Sequence, residues 1–473
     1  MQLNGIDKVM GLSSIDQDRL NKCVRVLKQH SQNNAKRSKY YDERITAADV
    51  NIGIAVPENM RTARDITCPW AKKAVSTLAN RSVFDGFVNT DDELVPNEML
   101  DLLNHLVSEN DLTNRYRKFL RSELVHGVSF ATVSRGLHNE PAAVVNIHSA
   151  DKASAVWDNR LNRIEYGMAI SKTGQLGGNG LDVPLIVDLY TDEATIQIMR
   201  FDLSTWHATY MPHAAGRPLM EPLSYMPDEL HPFGQSRISE PVMSIIDGYL
   251  RARLRMEIGA ELFTSPQKVI SGADDDAFEM DKMESYITKI LLLGKDEDGD
   301  VPHVSLLQAS SMQPHIDVMR NLAAQFAGAT NTPISELGVI HDNPSSAQAM
   351  FAAAEPLIIE AIGLNADNGV ALRNIAILML AIALNERAEI LLPLRYSIQP
   401  KFKNPSMPSM VANADSAVKI CASCPSFAGT PTYWEMLGFN AADIERIQSD
   451  IAKQESKAAI NALVDSLTEP GDE

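Results

Sequence analysis

Cysteine is scarce in this chain, and so is positive charge. Only Cys23, Cys68, Cys421 and Cys424 occur among 473 residues. That is too few for the disulfide framework of a small secreted fold, and free thiols in a reducing compartment are expected. Lys and Arg number 43 against 61 Asp and Glu, a net charge of −18. The deficit excludes a protein that grips nucleic acid across a broad basic face. It does not exclude one past which a polyanion slides without sticking. Long apolar runs are missing too. The longest, Ile375 to Leu384, falls short of the ~20 residues that span a bilayer. Met1 to Leu20 lacks the apolar segment of a signal peptide. A cytosolic chain with no membrane anchor is therefore expected. The phosphate-binding loop is absent as well. Gly294-Lys295 is followed by Asp296, with no glycine at the required upstream position, which argues against a nucleotide-driven motor. There is no His-Glu-x-x-His and no repeat of fixed period.

What is present is length and a normal share of apolar residues. At 45% apolar and 22% charged the chain can bury a large core, and its length suits about three domain-sized units. Residues 1 to 130 read as helical. Leu20, Cys23, Val24 and Leu27 share one face of Ile15 to Gln32, and Trp70 to Asn80, Glu98 to Val107 and Asn114 to His126 are amphipathic before Gly127 breaks the pattern. The period then changes. Val128 to Ser134, Ala142 to His148, Ala153 to Asp158, Arg163 to Ile170 and Thr195 to Ile198 read as strands, and Gly174 to Gly180 as a hairpin tip. A connector, 212 to 237, holds five prolines.

The organising stretch runs from Ile238 to Leu384. A helix capped by Ser239 carries Val242, Ile246, Leu250, Leu254 and Ile258. Ser265-Pro266 stops it. An insert follows, with strands near Gln267 to Ser271 and Val301 to Leu307 and a helix over Phe278 to Ile290. A second helix from Pro314 carries Ile316, Met319, Ala323 and Phe326 and ends before Pro333. A third opens after Asn343-Pro344 and runs to Leu384, a rod of roughly 60 Å, with a kink expected at Pro356. Beyond it, Leu394, Tyr396 and Ile398 suggest a strand ending at Pro400, and 406 to 467 return to helix.

At these residues the chain resembles a family. His231-Pro232-Phe233-Gly234-Gln235-Ser236-Arg237-Ile238, Ser265-Pro266-Gln267-Lys268-Val269-Ile270-Ser271-Gly272, Pro333-Ile334-Ser335-Glu336-Leu337-Gly338 and Asp342-Asn343-Pro344-Ser345-Ser346-Ala347 are similar, in order and spacing, to the portal (head–tail connector) proteins of long-tailed bacteriophages. The resemblance covers nearly the whole chain. It implies an α+β portal fold and a ring-forming subunit with these parts: a wing (1–237), a first stem helix (238–264), a clip (265–311), a second stem helix (312–331), a tunnel loop (332–346), a long kinked helix with a wing strand (347–405) and a crown with its tail (406–473). About twelve copies around one axis would sit at one capsid vertex of the virion. Double-stranded DNA would pass through them in packaging and ejection. Implied partners are the terminase motor, a head–tail adaptor and the major capsid and scaffolding proteins, with assembly in the host cytoplasm and no membrane.

The site residues follow from that frame. Arg251, Arg253 and Arg255 are the sharpest basic cluster. Residues two apart on a helix diverge by ~200°, so Arg251 and Arg255 share one face, expected toward the channel, and Arg253 the other, expected toward a neighbouring subunit. Asp342, Asn343, Ser345 and Ser346, short and polar in a stretch that Pro333 and Pro344 keep from continuing the helices, are expected to line the narrowest part of the channel. Asp296, Glu297 and Asp298 are expected on the clip as a docking surface for motor or adaptor. As a calcium loop that cluster fails, because its glycine comes two places early and position twelve is Leu307. Cys421-Ala422-Ser423-Cys424 lacks a second pair of ligands and reads as two half-buried thiols. Neither cofactor, metal nor catalytic set is expected. Two rivals remain: a DNA-binding protein of low oligomeric state, resting on the arginines, and a serine hydrolase, resting on Ser149 and Lys152.

Overall fold

The computed structural model describes residues 3–50, 65–90, 95–175, 182–202, 204–264, 268–271, 303–306, 311–338, 347–406, 410–439 and 441–468. By contacts the chain divides into two units, Met1–Pro405 and Ser406–Glu473.

The first unit opens with a short strand, β1 (Val9–Met10), and a long helix, α1 (Ser14–Tyr41). The Ser13 hydroxyl caps α1 by accepting from the Asp16 amide at 3.1 Å. Then come α2 (Trp70–Ala79), β2 (Phe84–Asn89), α3 (Asn97–Glu109) and α4 (Leu112–His126), which Gly127 ends at φ +103°. Eight strands follow: β3 (Val128–Arg135), β4 (Ala143–Ser149), β5 (Ala153–Asp158), β6 (Arg163–Gln175), β7 (Asp182–Tyr190), β8 (Ala194–Arg200), β9 (Trp206–Pro212) and β10 (Met220–Ser224). Strands β1 and β9–β5 form one six-stranded sheet in the order β1-β9-β8-β7-β6-β5. Its register lines Met168, Leu189 and Ile196 in one row and Ile170, Val187 and Ile198 in the next. These rows, with Leu20, Cys23, Val24 and Leu27 of α1, make a self-contained core. A three-stranded sheet, β10-β3-β4, belongs instead to the main core.

That main core is built on the helices. These are α5 (Glu240–Thr264), α6 (Gln313–Thr330) and α7 (Ala347–Leu384), with the pair β11 (Lys268–Ser271) and β12 (His303–Leu306) between the first two. The Trp70 ring meets Tyr249 of α5 at 4.3 Å and Phe326 of α6 at 5.3 Å, so α2 wedges that pair of helices at one level. Leu372, Ile375 and Ile377 to Leu380 of α7 are fully buried in this core. The helix from Ala349 to Leu384 is long and apolar enough to cross a membrane by composition, but 67% of its most apolar window is buried inside the molecule. It is a core helix. The helix continues through Pro356.

After α7 come a short α8 (Ala388–Leu391), a 3-10 turn at Leu392–Tyr396 and β13 (Ile398–Phe402), which pairs with β2. Here the expected strand is corrected. Leu394 and Tyr396 lie in the turn, and the strand runs through Pro400 rather than stopping there. A two-stranded ribbon tolerates this, because a proline on an edge strand need not donate. Strands β1, β2, β7, β9 and β10 were not anticipated. β2 and β10 are only 6 and 5 residues long, and β10 hides inside the proline-rich connector.

The second unit holds α9 (Met410–Ser423), a 3-10 turn at Pro425–Gly429, α10 (Pro431–Leu437) and α11 (Ala441–Thr468).

Candidate functional site

The segment 231–238 is built by backbone bonds that leave its side chains little choice. The Gln235 amide donates to the Tyr225 carbonyl at 2.8 Å, and the Arg237 amide donates to the Leu124 carbonyl at 2.9 Å. The Ser236 hydroxyl donates to the Val125 carbonyl at 2.6 Å. Gly234 sits at φ +71°, and a Cβ there would press on the Tyr225 carbonyl and lie 2.6 Å from the Gly127 oxygen. Only glycine fits.

This lacing aims Arg237 inward, where the guanidinium is buried. It pairs with Glu360 of α7 and donates to the Thr330 carbonyl at the end of α6. It also donates to the Tyr225 hydroxyl at 3.1 Å. Tyr225 in turn donates to Glu360, and the Asn331 amide donates to the other Glu360 oxygen at 3.1 Å. Burial pulls the Arg237 pKa down from its usual range. The node fastens the entry to α5, the end of α6 and the middle of α7 to one another. It is held by a desolvated charge pair whose remaining hydrogen-bonding groups are largely matched. Arg237 stood among the motif residues. Glu360 went unnoticed, although a single carboxylate in Leu357-Ile358-Ile359-Glu360-Ala361-Ile362 is the pattern of a buried ion seeking a partner.

A second polar network lies further along α7. The Asn368 amide donates to Tyr116 at 2.9 Å and to Glu123 at 3.0 Å, and Ser82 reaches Tyr116 at 3.0 Å and Asn365 at 2.6 Å. Burial pushes the Glu123 carboxyl up to about 8; Asn368 opposes the shift and Asp367 adds to it. Burial likewise pushes the Tyr116 hydroxyl up. Glu123 Oε1 and Asn368 Oδ1 are both buried without a donor. A proton on Glu123 Oε1 would satisfy both, closing an acid–amide pair.

The α5 arginines diverge. Arg255 is exposed and Arg251 half-buried. Arg253 lies 3.3 Å from Glu257 one turn on, on the side where Tyr249 and Cys68 sit. Of the expected tunnel loop, Thr332 to Gly338 is described. Thr332 is buried and bonded to Thr330 at 2.9 Å. Ile334–Leu337 forms a 3-10 turn, Gly338 ends it at φ +77°, and Glu336 pairs with Lys73. Asp342, Asn343, Ser345 and Ser346 lie outside the described residues, and so do Asp296, Glu297 and Asp298. Ser149 accepts from the Ser122 hydroxyl at 3.2 Å, and Lys152 joins it only through a backbone turn. Cys421 is half-buried, whereas Cys424 is exposed; that thiol lies beyond the end of its helix. Among the described residues, no group of three or more His, Cys, Asp or Glu could hold a metal.

The model of the phage portal proteins of the SPP1 Gp6-like type matches residues 20–457. The chain belongs to the phage portal protein family. It is 26% identical over 408 residues to the portal protein of Mycobacterium phage L5, covering 82% of this chain and 79% of the relative. It is 25% identical over 443 residues to that of Mycobacterium phage D29, covering 90% and 86%. Among solved structures it is similar to a chain of the virion of a native gene transfer agent particle, at 13% identity and a TM-score of 0.43, covering 78% of this chain and 90% of that one. At these scores the family match, and not the structural likeness, decides the assignment. The mixture of long helices and antiparallel sheets makes this portal-family chain an α+β fold.

Proposed function

We propose that this chain is the subunit of a ring-shaped portal, through which double-stranded DNA enters a capsid at one vertex and later leaves. The observation that carries the reading is the family match across residues 20–457. The net charge of −18 supports it physically. Walls of the same sign as DNA keep a passage from becoming a trap, and a few repeated arginines supply weak contacts that do not read sequence. The function is structural. The hydrolase rival has only Ser149 beside Ser122, and the small DNA-binding rival has only the α5 arginines.

In this reading α5 and α6 are the stem, β11 and β12 belong to the clip, and 332–346 is the tunnel loop. Residues 1–237 form the wing, 347–405 complete it, and 406–473 are the crown. Arg251 and Arg255 face the channel, and Arg253 faces a neighbour. Asp342, Asn343, Ser345 and Ser346 brush the DNA backbone. Asp296, Glu297 and Asp298 meet the terminase motor or the adaptor, and capsid and scaffolding proteins hold the rim. Native mass spectrometry of concentrated protein is expected to give a closed ring of about twelve copies. Monomer and dimer alone at every concentration would overturn it. Deleting Val339 to Asp342 is expected to leave the ring intact and to impair packaging or retention of DNA in assembled heads. Normal packaging in that deletion refutes the loop's role.

A further inference from the structure

Along α7 the side that faces away from the core is apolar. Phe351, Ile359, Ile362 and Val370 are all more than half exposed, Ile359 most of all at 63%. At 100° per residue these four fall within an arc of about 100°, opposite the buried Leu357, Ala361, Leu364 and Asn368. A half-open side chain of this size shows on the order of 100 Å², so the arc exposes roughly 400 Å². That is the scale at which an exposed patch marks a binding face, and about half of one partner's share of a standard interface. A helix face that stays in water carries charge instead.

Gly363 lies on the same side. A Cβ added there would meet nothing within 4 Å, so nothing packed around it requires glycine. Glycine inside a helix is destabilising, and an exposed one is accounted for when another backbone must come close.

We propose that this face of α7 is the seat of a neighbouring copy of the same chain. The inference rests on the ring reading above. A ring closed by head-to-tail contacts needs two different faces on each subunit, and this stripe of exposed apolar side chains is available for one of them. DNA does not suit it, because Glu355 is the charged residue in the middle of the arc and would repel phosphate. A membrane surface does not suit it either: Arg373, the basic residue that follows the stripe, is half-buried and donates to Gln399 of the same chain at 3.0 Å, whereas helices that lie on a membrane carry several free Lys and Arg.

The test compares four full-length variants with wild type by native mass spectrometry and by melting of the monomer. Ile359→Asp/Ile362→Asp is expected to weaken ring assembly at least tenfold with the monomer melt unchanged. Gly363→Leu is expected to weaken assembly while the monomer melts no lower, since leucine favours helix over glycine. Leu137→Asp, at another exposed apolar position, is expected to assemble like wild type, and so is Lys118→Asp on α4. Wild-type assembly in the Ile359/Ile362 and Gly363 variants overturns the inference. A lowered monomer melt with intact rings also overturns it, because the face then serves the subunit's own fold. Wild type that never assembles overturns the ring reading itself.

Discussion

Glu123 stores a proton that an ordinary carboxyl would have given up. Its folded pKa lies near 8, raised by burial, while in the unfolded chain it titrates near 4.3. The folded state thus holds the proton more tightly. The resulting stability is complete below about pH 4.3 and is lost as pH rises through 8. Urea unfolding at pH 5, 7 and 9 is expected to show a declining midpoint from this group, and Glu123→Gln is expected to flatten the decline. Arg237 and Glu360 behave differently. Replacing either one alone leaves a buried charge unmatched, at a cost of about 3–5 kcal/mol. Arg237→Met/Glu360→Met is expected to recover most of that loss in the same assay, and a cycle in which the two losses simply add would contradict the pairing.

At the scale of elements, the turn at 231–238 decides where α5 starts. Gly234→Ala forces a Cβ against two carbonyl oxygens at a positive φ. A loss of at least ~2 kcal/mol in chemical denaturation is expected. The two sides of α5 make a second comparison. Arg253→Ala breaks an i, i+4 pair with Glu257 worth only ~0.5 kcal/mol and a contact with Tyr249, so a loss of ring yield with the monomer melt unchanged reports a contact beyond the chain. Arg251→Ala/Arg255→Ala is expected to spare the ring and slow DNA passage. The helices α1, α2, α4, α5 and α6 were legible because their apolar residues recur at 3.6 spacing, and Gly127, Pro266 and Pro333 mark the ends of the last three. α1, which ends at Tyr41 with no such breaker, runs nine residues past the Gln32 read from its pattern. α7 was legible as a helix, but its exposed arc was not. It is apolar nearly all round, so periodicity could not tell the buried side from the open one. β10 and β13 escaped or shifted because each contains a proline, Pro222 and Pro400, which reads as a breaker until a ribbon or edge position excuses it. The Arg237 node was half legible. A buried pair separated by more than a hundred residues leaves no local spacing to read.

For the whole molecule, the charge balance predicts how a ring handles DNA. Equilibrium binding to a short duplex is expected to be weak and to fall further as salt rises, by the release of only a few counterions. A steep salt slope with tight binding would favour the small DNA-binding rival. The two separate cores have a thermal consequence. The sheet β1 and β9–β5 closes with α1 on one set of apolar side chains, while only a few of its residues, such as Ala155, Ile164 and Tyr190, join the core that holds α7. Such a chain need not melt all at once. Scanning calorimetry is expected to record more heat than a single all-or-none transition of the observed width allows. The heat would split into two overlapping steps, and Met168→Ala is expected to move only one of them. A subunit that can loosen its sheet lobe while its helices hold has a built-in order of thaw.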